Sequence, residues 1–163
     1  MRFSLSVGKA LAAAMLAASL FAAGCANQQS ALEAGLGGSA VPGSTQEFQV
    51  SVGDRIFFET DSSALTPQAR QTLDRQVQWL NQYGNYTFII EGHADERGTR
   101  EYNLALGARR AAATRDYLIG KGIPEGRIRT ISYGKERPVA VCNDISCWSQ
   151  NRRAVTLLTA PTG

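Results

Sequence analysis

At 163 residues, with 44% apolar and 19% charged side chains, the chain has length for one ordinary domain with a single core. A formal charge of +3 and a single histidine argue against a polybasic nucleic-acid surface and a multi-histidine metal centre.

The N-terminus comes first. Arg2 and Lys9 accompany the apolar, small-residue run from Ala10 to Ala23, too short to cross a bilayer comfortably, so residues 1–24 read as a secretory signal. Without Arg2 and Lys9, the 17 basic residues fall by two against 14 acidic ones, a formal balance of +1. The run ends at Ala22-Ala23-Gly24-Cys25, which resembles the lipobox of bacterial lipoproteins, although Ala22 stands where such boxes usually carry Leu. The resemblance implies that Cys25 is lipidated and becomes the first mature residue. Ordinary cleavage leaving Cys25 as a stray thiol is the alternative. Ala26 follows it, in place of the aspartate that retains many lipoproteins at the inner membrane, so the resemblance points to the outer membrane. Residues 25–46 are rich in Gly, Ser, Ala and Gln and read as a flexible tether. About twenty residues extend to at most about 70 Å and relax to roughly 25 Å.

The folded domain is expected over residues 47–163. Phe48, Val50 and Val52 alternate, a possible strand or hairpin start, and Gly53-Asp54 turns into Ile56-Phe57-Phe58. Thr66 and Pro67 suit the cap and first position of a helix. Leu73, Val77 and Leu80 then recur at helical spacing up to Tyr83-Gly84. Thr87 to Ile90 reads as the next strand. A second helix is expected from near Tyr102-Asn103 to about Gly120, then strands over Arg127 to Tyr133 and Arg153 to Leu158. Strands alternating with two long helices indicate a two-layer α/β (α+β) sandwich. Cys142 and Cys147 lie in one short loop. An exported protein lets such a pair oxidise, which stabilises by roughly 2 kcal/mol; two separate thiols or half of a metal site are the alternatives.

The densest chemistry lies at Gly92-His93-Ala94-Asp95-Glu96-Arg97-Gly98, directly ahead of the helix bearing Arg109-Arg110. A carboxylate at a strand's end and a guanidinium one to two turns into the next helix can face each other across a cleft. That layout suits a zwitterion, with Asp95 taking an ammonium and Arg109 or Arg110 a carboxylate. Helix geometry places Arg110 among Leu106, Ala113 and Tyr117, and Arg109 nearer Ala105 and Asp116. A second apolar arc through Leu104, Ala108 and Ile119 leaves the inward face unsettled.

Four pieces in order resemble the OmpA-like peptidoglycan-binding domain, in particular its Tol-associated lipoprotein branch. They are Phe57-Phe58-Glu59-Thr60-Asp61, the segment from Gly92 to Asn103, Ser132-Tyr133-Gly134-Lys135-Glu136-Arg137-Pro138, and Asn151-Arg152-Arg153-Ala154-Val155. The resemblance implies a mixed, roughly four-stranded sheet with the helices packed on one face. It implies binding to meso-diaminopimelate in the stem peptide of peptidoglycan, anchoring the outer membrane to the wall with a role in envelope integrity and cell division. It also implies a second partner, the periplasmic β-propeller protein of the Tol system, and no cofactor. Aligned with the family's leucine-small-x-x-Arg-Ala pattern, Arg110 is the ligand arginine and Asp95 the ligand aspartate; Gly107 replaces the common serine. Asp61, Phe58, Arg97 and Asn103 join them as peptidoglycan contacts. Asp61 reads equally as a loop cap, Phe58 as core and Arg97 as a solvated side chain. Asn151 and Arg153 read as internal braces, and His93 as a packing or hydrogen-bonding residue.

Enzyme classes fit poorly. One histidine is too few for a wall-cleaving metallohydrolase. No G-x-S-x-G elbow accompanies it for a serine hydrolase. A carboxylate-pair glycosidase is open on composition, but a domain of this size leaves little room for a long sugar cleft.

Overall fold

The computed structural model describes residues 40–159; the expected signal, Cys25 and most of the tether lie outside them. In chain order the elements are a short helix α1 (Thr45–Glu47), a π-helical turn (Phe48–Gly53), β1 (Arg55–Phe57), α2 (Pro67–Gln82), β2 (Phe88–His93), α3 (Arg100–Gly120), a 3-10 turn (Glu125–Arg127), β3 (Ile128–Gly134), α4 (Ile145–Asn151) and β4 (Arg153–Leu158). The sheet order is β1-β4-β2-β3. β4 runs antiparallel to both β1 and β2, whereas β2 and β3 are parallel. This is a mixed α/β fold with a four-stranded sheet.

The long helices start where side chains take up their first orphan amides. Thr66 Oγ1 accepts from the Ala69 N–H at 3.1 Å and Pro67 occupies the first turn. Thr99 Oγ1 accepts from Tyr102 N–H at 3.2 Å, so α3 begins at Arg100, two residues before the sequence expectation. The buried residues of α2 (Ala69, Thr72, Leu73, Gln76, Trp79 and Leu80) lie on one stripe. With Phe88 and Ile90 of β2, Ile56 of β1, Ala154 of β4, and Ala111 and Leu118 of α3, Ala69, Leu73, Trp79 and Leu80 of α2 form one core. Each fully buried Leu, Ile or Phe there contributes about 1.5–3 kcal/mol. The alternate strand positions turn outward, leaving Phe57, Ile131 and Leu157 exposed.

Two expectations are corrected. Phe48, Val50 and Val52 do not form a strand: in the helical turn Phe48 and Val52 share a face, Phe48 packs on Trp79 with ring centroids 5.0 Å apart, and Val50 is 76% exposed. The packed part also begins before Glu47. The Tyr86 hydroxyl donates to Gly43 O at 2.7 Å, and the Glu47 carboxylate accepts from Gly43 N–H at 2.8 Å and from the Trp79 indole at 2.7 Å. A third element was not anticipated: α4, capped by Asp144 accepting from Ser146 N–H at 2.7 Å, occupies part of the presumed cysteine loop. A disulfide joins Cys142 to Cys147 across a Cα separation of 5.6 Å.

Helix α3 lies unusually close to the sheet. A Cβ on Gly92 would fall 1.8 Å from the Gly107 carbonyl oxygen, and one on Gly107 would fall 2.4 Å from Ser132 Oγ. Glycine at both positions lets the backbones meet. Gly107, whose departure from the family serine has no evident meaning in the sequence, is therefore part of the contact that sets the height of α3 over β2.

Candidate ligand-binding site

β2 delivers the chain to the turn, α3 takes it back, and the loop after β1 closes one side. The Ala94 N–H donates to Gly134 O at 2.8 Å, extending the sheet one residue past β2. Beyond it, Lys135 Nζ donates to the carbonyls of Glu96 and Gly98 at 3.2 and 2.7 Å, and Asn103 Nδ2 to those of Arg97 and Thr99 at 2.7 and 3.1 Å. The 95–99 turn is thus gripped from both flanks, and the Asn103 amide is spent on bracing it.

A cleft of about 260 Å³ opens above this turn, lined by Thr60, Asp61, Asp95, Arg97, Gly98, Tyr102, Asn103, Leu106 and Arg110. Five of the six residues expected at the site lie in it. Phe58 does not: it is core, 3% exposed, with the Arg110 guanidinium carbon 5.2 Å from its ring centroid. Its place is beneath the arginine, as support.

Arg110 is fully buried, whereas Arg109 is exposed on the other side of α3. Packing selects the stripe of Asn103, Leu106, Gly107, Arg110, Ala111, Thr114 and Leu118 as the inward face. The guanidinium donates from Nε to Ser62 O at 2.8 Å, from Nη1 to His93 O at 2.8 Å and from Nη2 to Glu59 O at 3.1 Å. It therefore ties the loop after β1 to the end of β2, and three of its five N–H groups are spent on backbone carbonyls. Burial, reinforced by the charge of Arg152, lowers its pKa to about 10, still protonated at neutral pH.

Asp95 is buried but well partnered. Arg97 approaches it edge-on, Nη2 to Oδ2 at 2.7 Å and Nε to Oδ1 at 3.2 Å, and the Arg97 N–H also donates to Oδ1 at 3.2 Å. Arg152 Nη1 lies 3.4 Å from Oδ2. Burial pushes the Asp95 carboxyl upward, but the Arg97 hydrogen bonds and charge, with Arg152, more than offset it and hold the pKa below the ordinary carboxylate value. The carboxylate is ionised and stays so in mild acid.

Asp61 sits with φ 54°, the non-glycine residue with positive φ among those described, a conformation Asp tolerates better than most. Its carboxylate accepts from the Tyr102 hydroxyl, which closes one end of the cleft. Trp148 is not part of the lining but backs Arg97, which is: the Arg97 guanidinium carbon lies 4.2 Å from its ring centroid, and its indole N–H donates to the Glu96 carboxylate. Sequence reasoning did not single out Trp148, Tyr102 or Arg152 at this site. For Arg152 a signal existed: adjacent arginines at a strand's start point to opposite faces, so Arg152 and Arg153 cannot share one role.

His93 does not line the cleft. Its side chain lies 1% exposed, stacks on Tyr133 at 5.6 Å, and neither ring nitrogen has a hydrogen-bond partner. Burial, with the charges of Arg153 and Arg137, lowers its pKa to about 4, so it is neutral at pH 7 and the Glu91 carboxylate 3.5 Å away forms no ion pair with it. Asn151 and Arg153 brace the loop: Asn151 Oδ1 accepts from Val139 and Ala140 N–H at 2.8 and 3.2 Å, and Arg153 donates to Arg137 O at 3.2 Å. Among the described residues, no group of His, Cys, Asp and Glu is arranged to hold a metal ion, and no helix is long and apolar enough to cross a membrane.

A larger hollow, about 550 Å³, runs along the open edge of β1 between Arg55, Phe57, the first turns of α2 and Gln150. Its one buried ionic group, Arg152, is already bonded to Phe58 O at 3.0 Å. The smaller cleft, unlike this hollow, sets a buried carboxylate and a buried guanidinium on shared walls.

Comparison with known proteins matches this architecture. The model of the OmpA family matches residues 57–152. The chain is 69% identical over 142 residues to the peptidoglycan-associated lipoprotein of Agrobacterium fabrum, covering 83% of this chain and 80% of that protein. It is 60% identical over 163 residues to that of Brucella melitensis, covering 97% of each. Among solved structures, the peptidoglycan-associated lipoprotein of Burkholderia pseudomallei superposes with a TM-score of 0.65 at 37% identity, over 68% of this chain and 96% of that one. The C-terminal domain of Helicobacter pylori MotB shares the fold at 20% identity and a TM-score of 0.61, over 66% of this chain and 84% of that one.

Proposed function

This chain belongs to the OmpA family, in the branch of the peptidoglycan-associated lipoproteins, and from that premise we propose that its cleft grips the free side-chain end of meso-diaminopimelate in peptidoglycan stem peptides without breaking a bond. The observation that carries the reading is the pairing, in one small cleft, of ionised Asp95 with buried, protonated Arg110. Diaminopimelate ends in an ammonium and a carboxylate. Asp95 takes the ammonium and the remaining N–H groups of Arg110 take the carboxylate; Asp61 and Tyr102 close the end of the cleft.

Neither catalytic water activation nor nucleophilic attack is needed, and the histidine a hydrolase would use is buried outside the cleft. A lipid on Cys25 would hold the protein at the outer membrane, with the domain on the periplasmic side. The tether would let it reach the wall. Engagement of the Tol system's β-propeller protein, and through it a part in envelope integrity and division, completes the proposal on family grounds.

Sedimentation with purified walls tests it. The protein is expected to pellet with diaminopimelate-type walls and poorly with lysine-type walls, which lack the second carboxylate. Asp95→Asn, which keeps the side chain's shape, is expected to lose several-fold in affinity, since an ammonium that displaces Arg97 and Arg152 from the carboxylate gains less than the about 1.5–3 kcal/mol of a newly made charge-assisted bond. Equal binding to both wall types would sink the reading.

A further inference from the structure

We propose that Trp148, on α4, is a positioning residue that holds the Arg97 guanidinium ready as a second carboxylate-binding group of the cleft, and that discrimination for a ligand end bearing both charges depends on it. The proposal rests on the diaminopimelate reading above. It names what makes that site selective.

A guanidinium has two faces and a set of N–H edges, and for Arg97 most are accounted for. Its Nε–Nη2 edge lies on Asp95. The Trp148 ring covers one face at 4.2 Å. Its own carbonyl is held by Asn103 Nδ2 at 2.7 Å. What remains is Nη1, which has no hydrogen-bond partner among the described residues, on a side chain that lines the cleft and is 40% exposed. An arginine half in solvent ordinarily loses rotamer freedom when it binds a carboxylate. Here the indole and Asp95 have fixed the side chain beforehand, so little further ordering opposes binding.

Arg110 needs such a companion. Three of its nitrogens already donate to backbone carbonyls, so it can offer a ligand carboxylate only part of the two-bond fork that makes arginine selective for that group. Arg97 on the adjacent wall supplies the rest. The same group also sets a threshold. A lone ammonium must compete with Arg97 for Asp95, whereas a ligand end that adds a carboxylate gives Arg97 a new partner as it approaches.

Trp148 is itself well anchored. Its indole N–H donates to the Glu96 carboxylate. Helix α4 is tied at its start by the Cys142–Cys147 bond. At its end, Asn151 bonds residues 139 and 140, and Arg152 donates to Phe58 O and reaches Asp95. The stack thus rides on a helix fixed at both ends.

The test is titration of the full-length mature protein with the stem tripeptide ending in meso-diaminopimelate and with its lysine counterpart, followed by NMR. The variants are Trp148→Ala, Trp148→Leu and Trp148→Tyr. Trp148→Ala and Trp148→Leu are expected to lose at least fivefold in affinity for the diaminopimelate peptide with the lysine peptide unchanged. Trp148→Tyr, which keeps an aromatic face, is expected to restore the ratio to within twofold of wild type. Leucine replaces the ring's bulk without its π face, so it reports on stacking even if the alanine variant unfolds. An unchanged ratio in Trp148→Leu overturns the proposal, as does an equal loss for both peptides, which marks a merely structural role. A wild-type protein that fails to prefer diaminopimelate overturns instead the reading on which the proposal rests.

Discussion

Replacing Arg110 by alanine should destabilise the domain so strongly that a loss of binding by the variant would not by itself report on the site. The side chain is fully buried and donates to the carbonyls of Glu59, Ser62 and His93, which belong to segments up to 51 residues away in sequence. Leaving a buried acceptor unpaired costs about 1–3 kcal/mol. Three such losses do not add in full, because the space vacated admits water to some of them, so roughly 3–6 kcal/mol is expected. Domains of this size are stable by about 5–15 kcal/mol, and at about 4 °C per kcal/mol the melting temperature should fall by roughly 12–25 °C. Arg110→Lys keeps the charge but, with one ammonium, cannot span three carbonyls in the guanidinium plane. Its expected drop is about half as large, which makes it the variant for binding work. Thermal melts by circular dichroism, with urea titrations for free energies, measure both. A drop below about 5 °C for Arg110→Ala would show that the three carbonyls find other donors, and the account of Arg110 as a cross-tie would be wrong.

Three further outcomes follow from the same geometry. His93 has a folded pKa of about 4 against 6.5 for the free side chain, so below pH 6.5 the unfolded chain takes up a proton that the folded one refuses. Stability should therefore fall by up to about 3 kcal/mol between pH 6.5 and pH 4, and urea titrations across that range should show a flatter profile for His93→Phe. Replacing both Cys142 and Cys147 by serine should cost about 2 kcal/mol by the chain-entropy argument. Because α4 carries Trp148 and leads directly into Arg152, it should also loosen Arg97, visible as larger NMR shifts at the 95–99 turn than in the distant α2; shifts confined to residues 140–147 would show the bond to be local in effect. Mass spectrometry of the native N-terminus should find Cys25 acylated, and an unmodified cysteine there would remove the proposed anchor.

Most of the elements were legible because their signals are local. Thr66-Pro67 marks the start of α2 by cap chemistry, and the run from Arg153 to Leu158 coincides with β4. Phe48, Val50 and Val52 misled because three apolar residues at spacing two also place the first and third at i and i+4, and only the Trp79 ring decides between the periods. α4 was hidden by its length: at seven residues it has no apolar period, and its sole sign was Asp144 ahead of it. The choice between Arg109 and Arg110 shows the limit at the site. Helix geometry offers two arcs on α3, and the Gly92–Gly107 contact, a property of two elements together, turns the Arg110 arc inward. Arg152 and Trp148 reach Asp95 and Arg97 from more than fifty residues away, a meeting that no local pattern encodes.

That distant meeting also bears on how strongly the proposed site can bind. The Asp95 carboxylate already has Arg97 at 2.7 Å and Arg152 at 3.4 Å, so an arriving ammonium exchanges partners rather than filling a vacant charge. The gain is the difference between two ion pairs, smaller than the 1.5–3 kcal/mol of a newly made charge-assisted bond. Such exchange favours selectivity over tightness, since the balance turns favourable only when the ligand also satisfies the guanidinium it displaces. Modest affinity at one cleft is compatible with firm attachment. A wall presents many stem peptides, and a protein tethered beside it meets them at high effective concentration, so detachment from one end is followed by capture of the next.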